Sequence, residues 1–425
     1  MTYDRVLAFL DSRISLGWKL GLDSMRQMLA ELGNPEKSLR FVHIAGTNGK
    51  GSVAAMLASV AHRAGYRTGL YTSPHLIDMR ERIRLNGEIM SERQLAEVIS
   101  FLKPVAEKFQ ATYFETLTAA ALLFFARQKA QIVMLEVGLG GRLDATNVVS
   151  PEATVITSIA LDHTEHLGGT LHEIAAEKAG IIKEGVPCVI GDLPEEAQKV
   201  IEQTCREHRA PLHCAQNLSV KIVQESAAMM HLALAGASPF AVPVRTPLVG
   251  RHQALNVAMV ATVCEILTRA GRPISPESFQ HGLCSANWPG RFEILQRHPT
   301  VVVDVAHNPA AMAELMVLIN SHFSSWKKWI IIGLLKDKDS REICRQIAAV
   351  ADVILPVEPQ SPRALPAVEL KRQFDSLQGI VREPATVSQG VEEALKAADS
   401  QTLICITGSH FVVGEALKKI KGLTK

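Results

Sequence analysis

The sequence has little that would mark a secreted, membrane-spanning or nucleic-acid-binding protein. Its seven cysteines are an odd number, lie far apart and include no C-x-x-C pair. Neither a disulfide framework nor a zinc site is therefore expected, and the thiols read as reduced and mostly buried. No run of about 18 apolar residues occurs, and the stretch from Met1 to Leu7 lacks a basic flank followed by an apolar segment. A cytoplasmic protein without membrane contact is the expectation. Charge of one sign is not in excess, with 45 Lys plus Arg against 43 Asp plus Glu, so no broad positive field draws in nucleic acid or an anionic surface. Any anion site must be local. Low-complexity tracts and repeats of solenoid period are also missing.

What is present is enough apolar material, 47% of 425 residues, to build two cores instead of one. Residues 1 to 38 read as helical, with Val6, Phe9 and Leu10, then Met25, Met28, Leu29 and Leu32, at helical spacing. Next come an apolar strand ending at Ala45, a Gly-rich turn, and a small-residue helix from Ser52 to Ala64. Strands then recur at 68–71, 132–137 and 154–159, separated by helices at about 91–110 and 117–127. Strands without polar alternation, separated by helices, imply a parallel sheet covered on both faces. After Ser285 to Gly290 a second α/β series begins, with strands near 301, 329, 353 and 403 and crossover helices at 310–319 and 340–350. The expected fold is α/β with two domains: residues 1–286 as a parallel-sheet ATPase domain carrying a phosphate loop, and residues 291–425 as a smaller Rossmann-like domain. Residues 217–248 read as short strands of an insertion.

The chemistry starts at Gly46-Thr47-Asn48-Gly49-Lys50-Gly51-Ser52. Consecutive backbone N–H groups at a helix start form an anion nest, glycines let a ligand approach, and a lysine adds full charge. In this reading Lys50 bridges the β- and γ-phosphates of ATP, the N–H groups from Asn48 to Ser52 wrap them, and Ser52 approaches Mg²⁺. Gly51 interrupts the strict G-x-x-x-x-G-K-[ST] pattern, so the loop alone could also be an ordinary Gly-rich turn. Glu136 ends a buried strand before a Gly-rich segment, the place of a metal-holding carboxylate or of a simple loop cap.

The string HIAGTNGKGSV is followed by YTSPHL at 71–76, LEVGLGGRLDATN at 135–147, TSIALDHTEHLG at 157–168 and EKAGI at 177–181. GRHQALN at 250–256, PGRFE at 289–293, DVAHNP at 304–309 and TGS at 407–409 complete the series. Together they resemble the folylpolyglutamate synthase and dihydrofolate synthase family of the Mur ligase superfamily over essentially the full length. That resemblance implies an ATP-dependent amide ligase. The γ-phosphate passes to a folate-type carboxylate, and the amine of L-glutamate displaces phosphate from the acyl phosphate.

By the same resemblance Ser73, Glu136 and His163 are ligands of Mg²⁺, with two metal sites, and Lys178 is the lysine carbamylated to bind the second ion. Lys50, Lys178, His163 and Glu136 are the expected catalytic set. Thr47, Asn48, Gly49, Lys50, Gly51, Ser52, Asn256, Arg291 and Asp304 are the expected ATP contacts. His307 and Ser409 resemble glutamate-binding positions, while Thr112, Tyr113, Phe114 and Glu115, with Leu143, Asp144 and Ala145, resemble the segments that hold the pterin. The expected partners are small molecules (folate or dihydropteroate, L-glutamate and ATP), with no nucleic acid, and a monomer is the default. The Tyr-Phe-Glu string favours use of dihydropteroate, which makes the enzyme bifunctional. Alternatives are a folate-only ligase, a peptidoglycan-type ligase, and a nucleotide-binding module without turnover. The second would need a leading domain before the loop, and the third has no use for Glu136 with His163.

Overall fold

The computed structural model of the chain describes residues 1–17 and 21–422. Around the phosphate loop lies an eight-stranded sheet whose order is Glu88–Ile89, Ile83–Leu85, Thr68–Tyr71, Ile132–Glu136, Phe41–Ala45, Ala153–Ile156, Cys188–Ile190 and Leu212–Cys214. Six strands run parallel, as the unalternated apolar runs require, and the hairpin of the first two closes one edge antiparallel. The strand Phe41–Ala45 is buried at all five positions because it sits mid-sheet, pairing Val42 with Met134 on one side and with Ala153 on the other. Its carboxyl end is therefore deep in the fold, where ligands of open parallel sheets bind.

The second sheet runs Glu293–Arg297, Thr300–Val303, Thr402–Thr407, Lys327–Ile332, Val353–Glu358 and Ile380–Val381, with Ala385–Thr386 also paired to Val353–Glu358. Only Glu293–Arg297 is antiparallel to its neighbour. Between the two sheets, Ser219–Ser226, Met229–Ala235 and Pro243–Thr246 form a small antiparallel sheet at the place read as an insertion. One buried apolar cluster runs from Val42 and Met56 through Val257 and Phe279 to Val302, Ile330 and Ile354. The two α/β units thus share a continuous core, which limits how freely one can move against the other.

Two local expectations change, while residues 1 to 38 are helical in two pieces, Tyr3–Ile14 and Asp23–Glu31, followed by a short 3₁₀ turn at Pro35–Ser38. The first ends where the Leu16 and Gly17 N–H groups donate to the carbonyls of Arg13 and Ile14; residues 18–20 of that reading lie outside the described residues, as do 423–425 of the second domain. The strand expected to reach 159 stops at Ile156, and residues 157–160 leave the sheet to brace the phosphate loop. The helix expected from 117 begins at Tyr113, because Thr112 and Glu115 form a capping box: the Thr112 side chain accepts from the Glu115 N–H and the Glu115 carboxylate accepts from the Thr112 N–H. The pair is buried, so Thr112→Ala is expected to lower unfolding free energy by about 1 kcal/mol, read as a drop in urea midpoint at unchanged slope.

Candidate active site

Gly49 has φ +87 and caps the helix Lys50–Arg63, so the chain turns at a left-handed residue into a helix start whose first N–H groups have no intrahelical partner. The loop is braced from behind. Thr47 N–H donates to the Ser158 carbonyl at 2.8 Å, Asn48 N–H to Ser158 Oγ at 2.9 Å, and the Asn48 carbonyl accepts from Thr157 Oγ1 at 2.6 Å. Ser52 is buried and accepts from Gln253 Nε2 at 3.4 Å, while Gln253 also accepts from Asn256 Nδ2 at 2.9 Å. Asn256 lies against Gly49. Gly51 has a steric reason: a Cβ there would fall 2.6 Å from the indole ring of Trp288, which the linker between the two sheets lays on the loop helix.

Lys50 Nζ donates to the carbonyls of Gly46 at 2.9 Å and Thr47 at 3.1 Å, so the ammonium is folded back over its own loop. Lys178 Nζ reaches the same Gly46 carbonyl at 3.0 Å from the helix Leu171–Ala179. Burial and the Lys50 charge bring the Lys178 pKa down from the usual lysine value to about 7. Burial also lowers Lys50, against the attraction of Glu136, Asp162 and Asp144. Glu136 is buried and its carboxyl is pushed up by desolvation, with Lys50 and the Ser73 N–H opposing. That N–H donates to Glu136 Oε2 at 3.1 Å, which brings Ser73 and Glu136 together beside the loop.

His163 occupies another corner, with φ +51 at the start of the short helix Thr164–Leu167. Its Nε2 lies 3.4 Å from Lys338 Nζ and its Nδ1 3.8 Å from Asp337, and desolvation holds its pKa down near 4. Arg291 and Asp304 are neighbours from the second domain. Arg291 Nη1 donates to the Gly290 carbonyl at 3.2 Å, and Asp304 accepts from the N–H groups of Phe292 and Ala306 at 2.8 Å each. Burial lowers Arg291, with Asp304 and Glu136 opposing, and burial raises Asp304. His307 Nδ1–H donates to the Val305 carbonyl at 2.8 Å, and its ring is 5.8 Å from that of His410. Ser409 is buried and caps the helix His410–Ile420 through Oγ, which accepts from the Val412 N–H at 3.2 Å.

The segments matched to pterin binding are mostly organised by their own backbone. Asp144 accepts from the N–H groups of Leu139 at 2.9 Å and Thr146 at 3.0 Å, holding the turn that carries Leu143 and Ala145. Phe114 packs on Tyr71 at 6.1 Å between ring centres. Beside Tyr113, at 5.6 Å from its ring, stands the buried Arg82 guanidinium, which donates to His75 Nδ1 at 2.9 Å.

Sequence reasoning passed over Arg82, His75, Trp288, Asp162, Asn308 and Lys338. Asp162 and Asn308 lie inside the LDH and AHNP strings that gave His163 and His307, so chemistry-bearing neighbours were visible there. Asn48 and Asn308 exchange side-chain hydrogen bonds at 3.3 and 3.0 Å across 260 residues, joining the phosphate loop to the second domain. Lys338 had no such marker.

Residues 44–264 match the family model of the Mur ligase middle domain, and residues 290–410 that of the Mur ligase glutamate ligase domain. The chain is 36% identical over 436 aligned residues to the dihydrofolate synthase/folylpolyglutamate synthase of Bacillus subtilis, covering 99% of each chain. It is 33% identical to the folylpolyglutamate synthase of Lacticaseibacillus casei, again over 99% of each. Among solved structures, E. coli FolC in complex with DHPP and ADP superposes at a TM-score of 0.89, with 30% identity over 100% of this chain and 98% of that one. Folylpolyglutamate synthase of Mycobacterium tuberculosis complexed with ADP superposes at 0.88, with 29% identity over 98% and 97%.

The depressed Lys178 amine has a measurable sign. Its folded pKa lies below the unfolded one, so between about pH 7 and the ordinary lysine value the unfolded chain binds the extra proton and stability rises with pH. Lys178→Met lacks this term. Its stability advantage over the parent, measured by urea unfolding at pH 7 and at pH 9.5, is expected to shrink at the higher pH.

Proposed function

This chain belongs to the folylpolyglutamate synthase and dihydrofolate synthase family, and from that premise we propose how its residues run the reaction: ATP-dependent joining of L-glutamate to a folate-type carboxylate. The observation that carries this reading is the anion nest at Gly49 and Lys50, set beside Glu136 and facing Arg291 of the second domain. A carboxylate oxygen of the pterin substrate attacks the γ-phosphorus of ATP, and the bond to the β-phosphate oxygen breaks to release ADP. The amine of glutamate then attacks the acyl carbon, phosphate leaves, and the amine gives up a proton. No protein nucleophile is needed. The chain supplies position and charge.

Arriving phosphates compete with the Gly46 and Thr47 carbonyls for Lys50 Nζ, and the freed ammonium follows the γ-phosphate through transfer. Arg291 contributes positive charge from across the cleft, and Asn256 and Asp304 complete the nucleotide contacts together with Thr47, Asn48 and Ser52. His307 and Ser409 bind glutamate near the second domain's helix start. Arg82 is a buried guanidinium whose neighbours are an imidazole and an arene, an environment that favours an anionic substrate group.

Ser73 and Glu136 fit a Mg²⁺ ion: both offer oxygen, they adjoin one another, and Glu136 Oε1 makes no hydrogen bond among the described residues. When bound, the ion neutralises phosphate charge. His163 and a carbamate on Lys178 would hold a second ion. With its pKa near 7, Lys178 keeps a substantial neutral-amine fraction at physiological pH, the form that adds to carbon dioxide. The bifunctional reading, in which dihydropteroate is accepted as well as tetrahydrofolate species, rests on the 112–115 and 143–145 strings and on relatives named for both activities.

Phosphate release from ATP is expected only when a pterin carboxylate and L-glutamate are both present. Turnover indifferent to dihydropteroate and tetrahydrofolate alike would sink the proposal, and turnover with tetrahydrofolate alone would remove bifunctionality. Lys50→Ala is expected to lower kcat by about 10²-fold or more with the fold intact by circular dichroism. For Lys178, ¹³C-bicarbonate should give a carbamate resonance in the parent that is missing from Lys178→Ala.

A further inference from the structure

The second domain converges on one first-domain carboxylate, Asp162. Lys338 Nζ donates to Oδ1 at 2.6 Å, Asn308 Nδ2 donates to Oδ2 at 3.1 Å, and His307 Nε2 lies 3.7 Å from Oδ2. The Asp162 side chain is 8% exposed and that of Lys338 3%. This pair is thus shielded from the screening that makes surface ion pairs weak.

Lys338 is not a flexible surface lysine that happens to reach across. Its N–H donates to the Leu335 carbonyl at 3.2 Å, its own carbonyl accepts from Ser340 at 2.8 Å, and Asp339 caps the helix Ser340–Ala348. Charges alternate along the contact. Arg363 donates to Asp337 at 2.9 Å, Asp337 lies 3.4 Å from Lys338 Nζ, and Lys338 meets Asp162. Lys338 Nζ also lies 3.4 Å from His163 Nε2, and His163 Nδ1 lies 3.8 Å from Asp337.

We infer that Lys338 is a positioning residue for the ligase reaction: its buried ion pair with Asp162 sets the inter-domain register in which Asn308 meets the phosphate loop and His307 approaches Asp162. The inference rests on the ligase reading of the cleft. Breaking the pair leaves one buried charge uncompensated, so a slipped register is strongly disfavoured. Asp162 is also shared with His307 and Asn308, and Asn308 is the residue paired with Asn48 of the loop. A shift at Lys338 therefore reaches the groups that face ATP and glutamate, and small misplacements of reacting partners are costly in rate.

The test compares the parent, Lys338→Met, Asp162→Asn and the double variant by steady-state kinetics, urea unfolding and small-angle X-ray scattering. Lys338→Met is expected to lose roughly tenfold to hundredfold in kcat, with KM raised for both L-glutamate and ATP, and a larger radius of gyration. In the double variant, stability returns toward the parent because no charge is left unpaired, while kcat stays low. Parent-like kcat and KM in Lys338→Met would overturn the inference, and so would a double variant whose kcat recovers in step with its stability. An inactive parent would instead sink the ligase reading. Scattering would then decide alone, and an unchanged radius of gyration in Lys338→Met would refute the register role.

Discussion

Two ammonium groups, Lys50 and Lys178, share the single carbonyl of Gly46, and the need to tolerate that concentration of positive charge shapes the first domain. The carboxylates of Glu136, Asp144 and Asp162 are drawn around it. Glu136 stands at the end of a central strand, where main-chain geometry fixes it, and Asp144 is held by the N–H groups of its own turn. Neither can relax far. The charge is therefore pre-organised for an anion, with little reorientation left for the moment of phosphoryl transfer.

The loop must also be met from the other side. Trp288 lies against Gly51, Asn308 exchanges hydrogen bonds with Asn48, and Lys338 holds Asp162. These contacts come from the linker and from two separate turns of the second sheet, each at the carboxyl end of a parallel strand. A parallel sheet delivers all its strand ends to one side, so two such sheets facing each other across a shared core can bring many short turns into one cleft. The extra glycine in the phosphate loop is the imprint of that meeting.

The parts of this arrangement that were legible in sequence are those with a local cause. The loop could be placed because glycine, lysine and a following small-residue helix are a physical requirement of an anion nest. Buried strands such as Val301 to Val303 could be placed because nothing polar interrupts them. The start of the helix at Tyr113 was missed because Thr112 and Glu115 were read as ligands, although their three-residue spacing is itself a capping signature. Lys338 was invisible for a different reason. It sits among Lys336, Asp337 and Asp339 in a charged run that reads as a solvated turn, and its partner Asp162 is 176 positions away in the other domain.

Charge accounting links the proposed carbamate to this cleft. With Lys178 as an ammonium, the first domain holds two like charges on one acceptor. Desolvation and Lys50 both push Lys178 toward the neutral amine, and addition of carbon dioxide goes further by making it an anion. That reverses its effect on Lys50 from repulsion to attraction and leaves Lys50 charged to follow the phosphate. The same shift that makes Lys178 a poor structural cation favours the neutral amine that the proposed carbamate requires.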